Sequence, residues 1–569
     1  MKGLFNANKC QEKLAILSIG GYSLTYEKLK GQIDKIVGDF KRLGLENKRV
    51  AVLAGNGPEA LISVLACASS AACAPLNPTI KSQELERLIA ELGLDAVLAL
   101  ADFDFGDIGK QVPIFKVESV GGRLELRGIN SLKLNKKAKK SNNIAIILHT
   151  SGTTAKPKIV PLKSSNILAS AKNIISILKL SEKDICLDLM PFFHVHGLMV
   201  AVSTLLSGGT VICPPKFEAN QFYQWIKEFG PTWFTASPTI HQSILDLARQ
   251  NRKIIKKSQL RFIRSSSAAM PIKLLAELEK KWRAPVAESY GMSEAALQIT
   301  SNPLPPELKK IGSAGKAYGL KIAIIDEAGK RLKTGKVGEI IIRGKNIIKE
   351  YGSGAEVNRR SFWRGWLRTG DMGYLDKDGF LFIKGRIKEM INKGGEKISP
   401  KEIDEAIMRH PKVKLAVAFS MPHPSLGEDI GAAVILNKKN GINEERLKVF
   451  LRKNLSDFKV PSRIFIVEEV LKGPTGKIQR LGLYEKIKPL FTAKKVLPKN
   501  NLEKDIIKVW QEILKINKIA VDDNFFEIGG DSLKAIGLIK ALKKITHNKI
   551  NNKNFLENPT IKGIIKLIK

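Results

Sequence analysis

The sequence is poor in the features that hold small secreted or metal-stapled proteins together. Its five cysteines, Cys10, Cys67, Cys73, Cys186 and Cys213, are scattered over 569 residues without C-x-x-C spacing. Neither a disulfide framework nor a metal cluster is expected from them. Long apolar runs are absent too. The longest, around residues 60–76, is interrupted by small polar residues and meets Pro75, too short and mixed to span a bilayer. The opening stretch MKGLFNANKCQEKLAIL lacks an apolar core followed by a small-residue cleavage site, so no signal peptide is read and a cytoplasmic protein is expected. Acidic residues are scarce, 55 against 94 Lys and Arg, for a formal charge of +39. A basic surface attracts polyanions. Here the lysines are spread along the whole chain among Ile and Asn, and the one cluster, KLNKKAKKSNN at 133–143, reads as a solvated loop. No nucleic-acid partner is expected. Neither the GxxxxGK spacing of a P-loop nor a GxSxG nucleophile elbow occurs.

What is present is a long alternation. Residues 1–380 pair short β-rich runs (RVAVLAG, NIAIILHT, TWFTASP, LRFIRSSS) with helical patterns such as NQFYQWIKEF. That order predicts a large α/β domain with mainly parallel sheets. From about residue 320 short strands and DEAG and DKDG turns predict a β-rich subdomain. A smaller α+β unit follows. We place the boundaries at 1–386 for the core, 387–490 for a small mobile subdomain, 491–501 for a linker and 502–569 for an all-α, four-helix domain. In the last, Leu502, Ile506, Trp510 and Ile513 make one apolar stripe, and Leu533, Ile536, Ile539 and Leu542 another.

HTSGTTAKPK (149–158) directly follows a predicted strand. Hydroxyls and amides of Thr150, Ser151, Gly152, Thr153 and Thr154 can form an anion-binding concavity, with Lys156 and Lys158 adding positive charge. The loop resembles the TSGTTGxPK signature of the adenylate-forming enzymes: acyl-CoA synthetases, adenylation domains of nonribosomal peptide synthetases, and luciferases. YGMSEA (290–295), GEIIIRGKNIIKEYG (338–352), RTGD within 368–407 and PTGKIQR (474–480) follow in that family's order. Ala155 departs from the usual Gly, at about 1 kcal/mol if a positive φ is needed there.

The resemblance implies a reaction that joins a carboxylate to the α-phosphate of ATP and then passes the acyl group to a thiol. The difficulty is electrostatic, because two anions meet and negative charge builds on the departing pyrophosphate. By resemblance, the 150–158 loop holds phosphates and Glu294 holds Mg²⁺, a hard cation suited to carboxylate oxygen. Tyr290 stacks near the adenine, with Gly291 and Met292 beside it, and Ser293 touches phosphate. Asp371 accepts from the ribose hydroxyls and Arg386 contacts ribose or phosphate. Lys477 bridges carboxylate and α-phosphate as a compact point charge. Lys388 matches the hinge about which the small subdomain turns, bringing NKGGEKIS (392–399) to the active site for thioester formation.

MPFFHVHGLM (190–199) brings His194 towards the acyl site by the same resemblance, and it lacks the acid that holds an α-ammonium group. A narrower similarity, carried by FFHVHGL, WFTASPTIHQSIL, LRFIRSSSAAM and TSNPLP, is to oxalate–CoA ligases. His194, His196, Ser265, Ser266 and Ser267 are candidates to bind a second carboxylate. Leu297 stands where that group usually carries His, which argues against oxalate itself and for an apolar or monocarboxylic acyl group.

NFFEIGGDSLKAIGLI (524–539) resembles the attachment site of phosphopantetheine carrier proteins. Asp531–Ser532 opens a helix, where a phosphodiester is favoured. Residues 501–569 hold 13 Lys against 8 Asp plus Glu, whereas such carriers are often acidic. The leading expectation is an enzyme that uses ATP and Mg²⁺ to activate a carboxylic acid and loads it onto 4'-phosphopantetheine at Ser532, in a nonribosomal peptide or polyketide-type pathway. Its partners are then a phosphopantetheinyl transferase and a downstream condensing or acyl-accepting enzyme. The alternative is an acyl-CoA ligase that uses free CoA, and a non-catalytic nucleotide-binding protein fits less well because the catalytic positions are intact.

Overall fold

The computed structural model describes the chain apart from residues 1–10, 21–22, 101–102, 121–122, 131, 133–142, 151–157, 439–440, 471–477, 492–496, 518, 526–527, 529, 531, 546–549, 551–553, 556–558 and 569. Two compact units divide near Ile383 and Lys384. The first unit holds a seven-stranded and a nine-stranded sheet. In the seven-stranded sheet, Arg49–Leu53 lies parallel to Ala72–Leu76 and Ala96–Ala99. In the nine-stranded one, Ile185–Asp188, Trp233–Ala236, Phe262–Ser265 and Val286–Met292 run parallel as successive neighbours. Short, continuous apolar runs suit such strands because helices cover both faces. Ala96–Ala99, Trp233–Ala236 and Phe262–Ser265 are buried throughout. The predicted mainly parallel α/β core is thus what forms, with antiparallel pairs confined to sheet margins, such as Ile144–Thr150 against Lys158–Lys163.

The predicted β-rich subdomain is a five-stranded sheet in which Leu320–Ile325, Gly338–Gly344 and Trp366–Leu375 pair antiparallel. Glu339 lies opposite Met372. The Arg368 Nε donates to Glu339 Oε2 at 2.7 Å and the Gly370 amide to Oε1 at 3.2 Å. One buried carboxylate therefore holds both sides of the RTGD turn.

The second unit begins with an α+β body around the long hairpin Val413–His423 and Gly427–Leu436. The NKGGEK segment is itself a hairpin, Ile391–Lys393 against Glu396–Ile398. Beyond the linker, the helices Asn501–Leu514, Ser532–Ile545 and Ile561–Ile568 are present among the described residues. Asn500 caps the first, its side chain accepting from the Glu503 amide. Trp510, Phe525 and Phe555 pack edge to face at the centre of this domain, with Trp510 to Phe525 ring centroids 5.1 Å apart. A Cβ at position 530 would sit 2.3 Å from the Phe525 ring, so glycine is required there. Trp510→Ala is expected to cost these helices about 3–5 kcal/mol. Urea denaturation of the full chain should show an early helical transition that the wild type lacks.

Candidate active site

The site is organised by the turn that joins two strands, Val286–Met292 and Leu297–Ser301. A short 3₁₀ turn, Ser293–Ala295, carries Glu294, and Ala296 and Leu297 follow with φ of 46° and 87°. A Cβ at Gly291 would stand 1.6 Å from the Leu297 carbonyl oxygen, so the strands can approach this closely only with glycine there. Asn346, fully buried, donates through its amide to the Ala295 and Gln298 carbonyls, both at 3.0 Å. The turn is held in a conformation that non-glycine residues rarely adopt.

At the nucleotide end, the Tyr290 hydroxyl donates to Asp371 Oδ2. The two residues come from separate motifs and meet although both were expected to touch the nucleoside independently. Asp371 is 4% exposed, and its amide donates to the Thr369 hydroxyl at 3.1 Å. Glu294 is also buried. Among the described residues no group of three or more His, Cys, Asp or Glu side chains converges. A lone carboxylate suits a magnesium ion that draws its remaining oxygens from water and phosphate. The strands flanking the threonine-rich loop are in register, with Thr150 opposite Lys158. Lys158 lies 4.6 Å over the Tyr351 ring and 3.2 Å from Ser361 Oγ. Ser151, Gly152, Thr153, Thr154, Lys156 and Lys477 lie outside the described residues, as do the side chains of Thr150 and Ser532.

At the acyl end, His194 N-caps the helix Val195–Leu206. Its buried Nε2 has no partner, and burial, then His149, hold its pKa down to about 4. The neighbouring imidazole is more fully engaged. His196 Nδ1 is 2.8 Å from Ser267 Oγ, and its Nε2 is 2.7 Å from Thr235 Oγ1 and 2.9 Å from Arg264 Nη1. A guanidinium only donates, so Nε2 accepts. Burial, followed by the Arg264 charge, pushes the His196 pKa well below 6.5 and keeps the ring neutral. The ring proton is then on Nδ1, donated to Ser267, and the Ser267 hydroxyl hydrogen is left for a ligand. Ser265 and Ser266 do not join this relay. Their hydroxyls turn to Met270 Sδ at 3.5 Å and the Ser289 carbonyl at 3.4 Å.

Arg264 was missed at the sequence level. It is fully buried, 3.4 Å from Gln298 Oε1, and no carboxylate among the described residues lies within 4 Å of it. Burial lowers its pKa to about 10, well within the charged range at neutral pH. Burial pushes the Asp188 carboxyl up, while the Met190 amide and the Arg264 charge act in the opposite direction, so the two buried groups feel each other. Leu297 packs into the apolar core, and its neighbour Gln298, not residue 297, reaches the guanidinium. The signal available beforehand was the arginine inside the otherwise apolar strand of LRFIRSSS.

In the second unit, Arg386 and Lys388 lie exposed just past the boundary, at the end of Leu381–Arg386 and in the 3₁₀ turn Ile387–Glu389. Arg480 of the PTGKIQR motif was also overlooked. Its Nη2 meets Asp404 Oδ2 at 2.7 Å and its Nε meets Glu389 Oε2 at 3.5 Å. This pairing anchors the chain just after Lys477. Arg480→Ala leaves Asp404 buried and unpaired and should destabilise the second unit by about 3–5 kcal/mol, read as a lower unfolding midpoint.

His194 gives a pH signature. Its folded pKa is depressed, so between about 4 and 6.5 the unfolded chain binds more protons, and stability falls as pH falls through that window. The stability advantage of wild type over His194→Gln should shrink by about 3 kcal/mol between pH 6.5 and 4, measured by urea titration at each pH.

Residues 5–352 match the AMP-binding enzyme family, residues 402–477 its C-terminal domain, and residues 504–568 the phosphopantetheine attachment site. The chain is 38% identical over 494 residues to an oxalate–CoA ligase of Arabidopsis thaliana, covering 83% of this chain and 95% of that protein. It is 38% identical over 341 residues to a sulfoacetate–CoA ligase of Cupriavidus necator, covering 60% and 66%. The ATP-bound crystal structure of MatB from Rhodopseudomonas palustris superimposes with a TM-score of 0.76 at 26% identity, covering 86% of this chain and 99% of that one. No helix among the described residues is long and apolar enough to cross a membrane. The chain belongs to the AMP-binding enzyme family, as an AMP-forming acid–thiol ligase dependent on ATP and Mg²⁺, and carries a phosphopantetheine attachment domain.

Proposed function

We propose that the enzyme activates a small acid bearing a second anionic group and passes it to the phosphopantetheine thiol on Ser532. The observation that carries the first half is Arg264, a fully buried guanidinium that contacts His196 and Gln298 directly and feels the buried Asp188 carboxylate only through space. A buried charge compensated only through space is costly, and a bound anion lowers that cost. The charge is presented through His196, whose Nδ1–H polarises Ser267 as a donor. The similar ligases named for oxalate and sulfoacetate support this reading, since both acids carry a second anion. Leu297 then excludes nothing, because the polar role moves to Arg264 and Gln298.

In the first half-reaction the loop 150–158 takes the β- and γ-phosphates and Lys477 is offered between carboxylate and α-phosphate. Glu294 would hold Mg²⁺, which neutralises triphosphate charge. Tyr290 fixes the Asp371 carboxylate, which would accept from the ribose diol. In the second half-reaction the small subdomain turns at Lys388, and the hairpin 391–398 faces the thiol. Ser532, the first residue of its helix, holds the arm. A second reading, transfer to free CoA, is favoured by the CoA ligases among the relatives. The four described cysteines Cys67, Cys73, Cys186 and Cys213 are buried free thiols, in keeping with a reducing, cytoplasmic setting.

ATP–pyrophosphate exchange should be supported by oxalate, malonate or sulfoacetate well above acetate or propionate. Arg264→Met should lower kcat/KM for the dianionic acids on the order of 10²-fold and affect monoanionic acids little. Equal losses for both classes refute the assignment. Ser532→Ala should leave exchange intact and abolish acyl mass on the holo-protein. Acyl-CoA accumulating while no acyl mass reaches Ser532 decides for the second reading.

A further inference from the structure

The stem of the threonine-rich loop and the carboxylate of Glu294 belong to distant parts of the sequence, and they meet at one phenol. Tyr351 is 4% exposed, and its hydroxyl donates to Glu294 Oε1 at 2.8 Å. Lys158, where the loop ends and the next strand begins, lies over the same ring at 4.6 Å. The backbone around the phenol is fixed on three sides. Asn358 clamps it, accepting from the Tyr351 amide at 2.7 Å and donating to its carbonyl at 3.1 Å. The Gly352 amide donates to the Ile159 carbonyl at 2.9 Å, and the Ile159 amide to Ser353 Oγ at 2.7 Å. The Ile348 amide donates to the Glu294 carbonyl at 2.9 Å. Loop stem, phenol and acidic turn are thereby one hydrogen-bonded block.

A phenol does not neutralise a carboxylate; it removes its rotational freedom. With Oε1 taken by the hydroxyl, Oε2 is presented in a fixed direction. Partners of this kind around a metal ligand set its orientation and typically change metal affinity 10–100-fold when lost. The ammonium over the ring adds a cation–π contact and, by withdrawing electron density, makes the hydroxyl a better donor. We propose that Tyr351 is a positioning residue that couples the phosphate loop to Glu294 and aims this carboxylate at the divalent cation accompanying ATP. The proposal rests on the assignment of Glu294 to that cation and is independent of which acid is activated.

The test uses the full chain without acid substrate, so that binding is read apart from turnover. ATP binding is followed by isothermal titration at graded Mg²⁺, with AMP binding in the absence of Mg²⁺ as the control. Tyr351→Phe keeps the ring under Lys158 and removes only the hydroxyl. It is expected to raise the Mg²⁺ concentration for half-maximal ATP binding by about 10-fold and to leave AMP binding unchanged. In a Glu294→Gln background the same change should add nothing. A wild-type Mg²⁺ dependence in Tyr351→Phe, or an equal loss of AMP binding, overturns the proposal. If Tyr351→Phe does not fold, Lys158→Met reads the coupling from the loop side: a raised Mg²⁺ half-point supports it, and weaker ATP binding with an unchanged half-point overturns it. Glu294→Gln without effect on Mg²⁺ dependence refutes the cation assignment itself, whereas an effective Glu294→Gln beside a silent Tyr351→Phe refutes the coupling alone.

Discussion

Two backbone carbonyls, those of Ala295 and Gln298, are held by one buried amide group, the side chain of Asn346. Most of the site hangs from that clamp. It fixes a turn whose two central residues have positive φ, and such a conformation persists only where the surroundings over-determine it. Glu294 precedes the strained pair and Gln298 follows it. One faces the phenol of Tyr351, the other the guanidinium of Arg264. The two ends of the candidate site are thus oriented by a single short turn, and the Ser170 hydroxyl adds a further bond to the Ala296 carbonyl between them.

The same turn explains how a basic chain uses its charge selectively. Most of the excess lysine is on the surface, where it is solvated and weak. Arg264 is inside, where a positive charge is strongly felt because water does not screen it. The neutral imidazole of His196 relays that charge to a hydroxyl without itself becoming charged. In the proposed reading, an acid with a second anion would meet a partner that is already desolvated and oriented. At the other end, Glu339 performs a comparable structural task, gripping Arg368 and the Gly370 amide so that Asp371 emerges in one orientation.

Much of the fold was legible in the residues. Apolar runs of four or five residues bounded by helical patterns foretold the parallel sheets, and DEAG and DKDG foretold the antiparallel subdomain. Tyr290, Glu294 and Asp371 were identified from motifs; the two carboxylates are buried and Tyr290, half-buried, bonds to one of them. Ser265 and Ser266 were grouped with Ser267 because they are adjacent, yet successive residues leaving a strand point in different directions, and only Ser267 reaches His196. Leu297 was given weight as a missing polar group, and it packs into the apolar core, while the buried Arg264 beside Gln298 was passed by. Arg264 carries no motif that distinguishes it from a surface arginine; burial alone makes it important.

The sequence by itself determined the candidate chemistry: a threonine-rich loop after a strand, an acid in YGMSEA, a lysine in PTGKIQR and a serine at the head of a helix. These are local properties, written in residue types at short spacing. Tertiary structure decided which groups meet. Tyr290 finds Asp371, Tyr351 finds Glu294, and Arg264 finds His196 because the strand order of the sheets and the packing of the helix after His194 bring separated segments within hydrogen-bond distance. Spacing along a chain does not encode such encounters, and burial, which sets Arg264 apart from a surface arginine, exists only once the layers have closed.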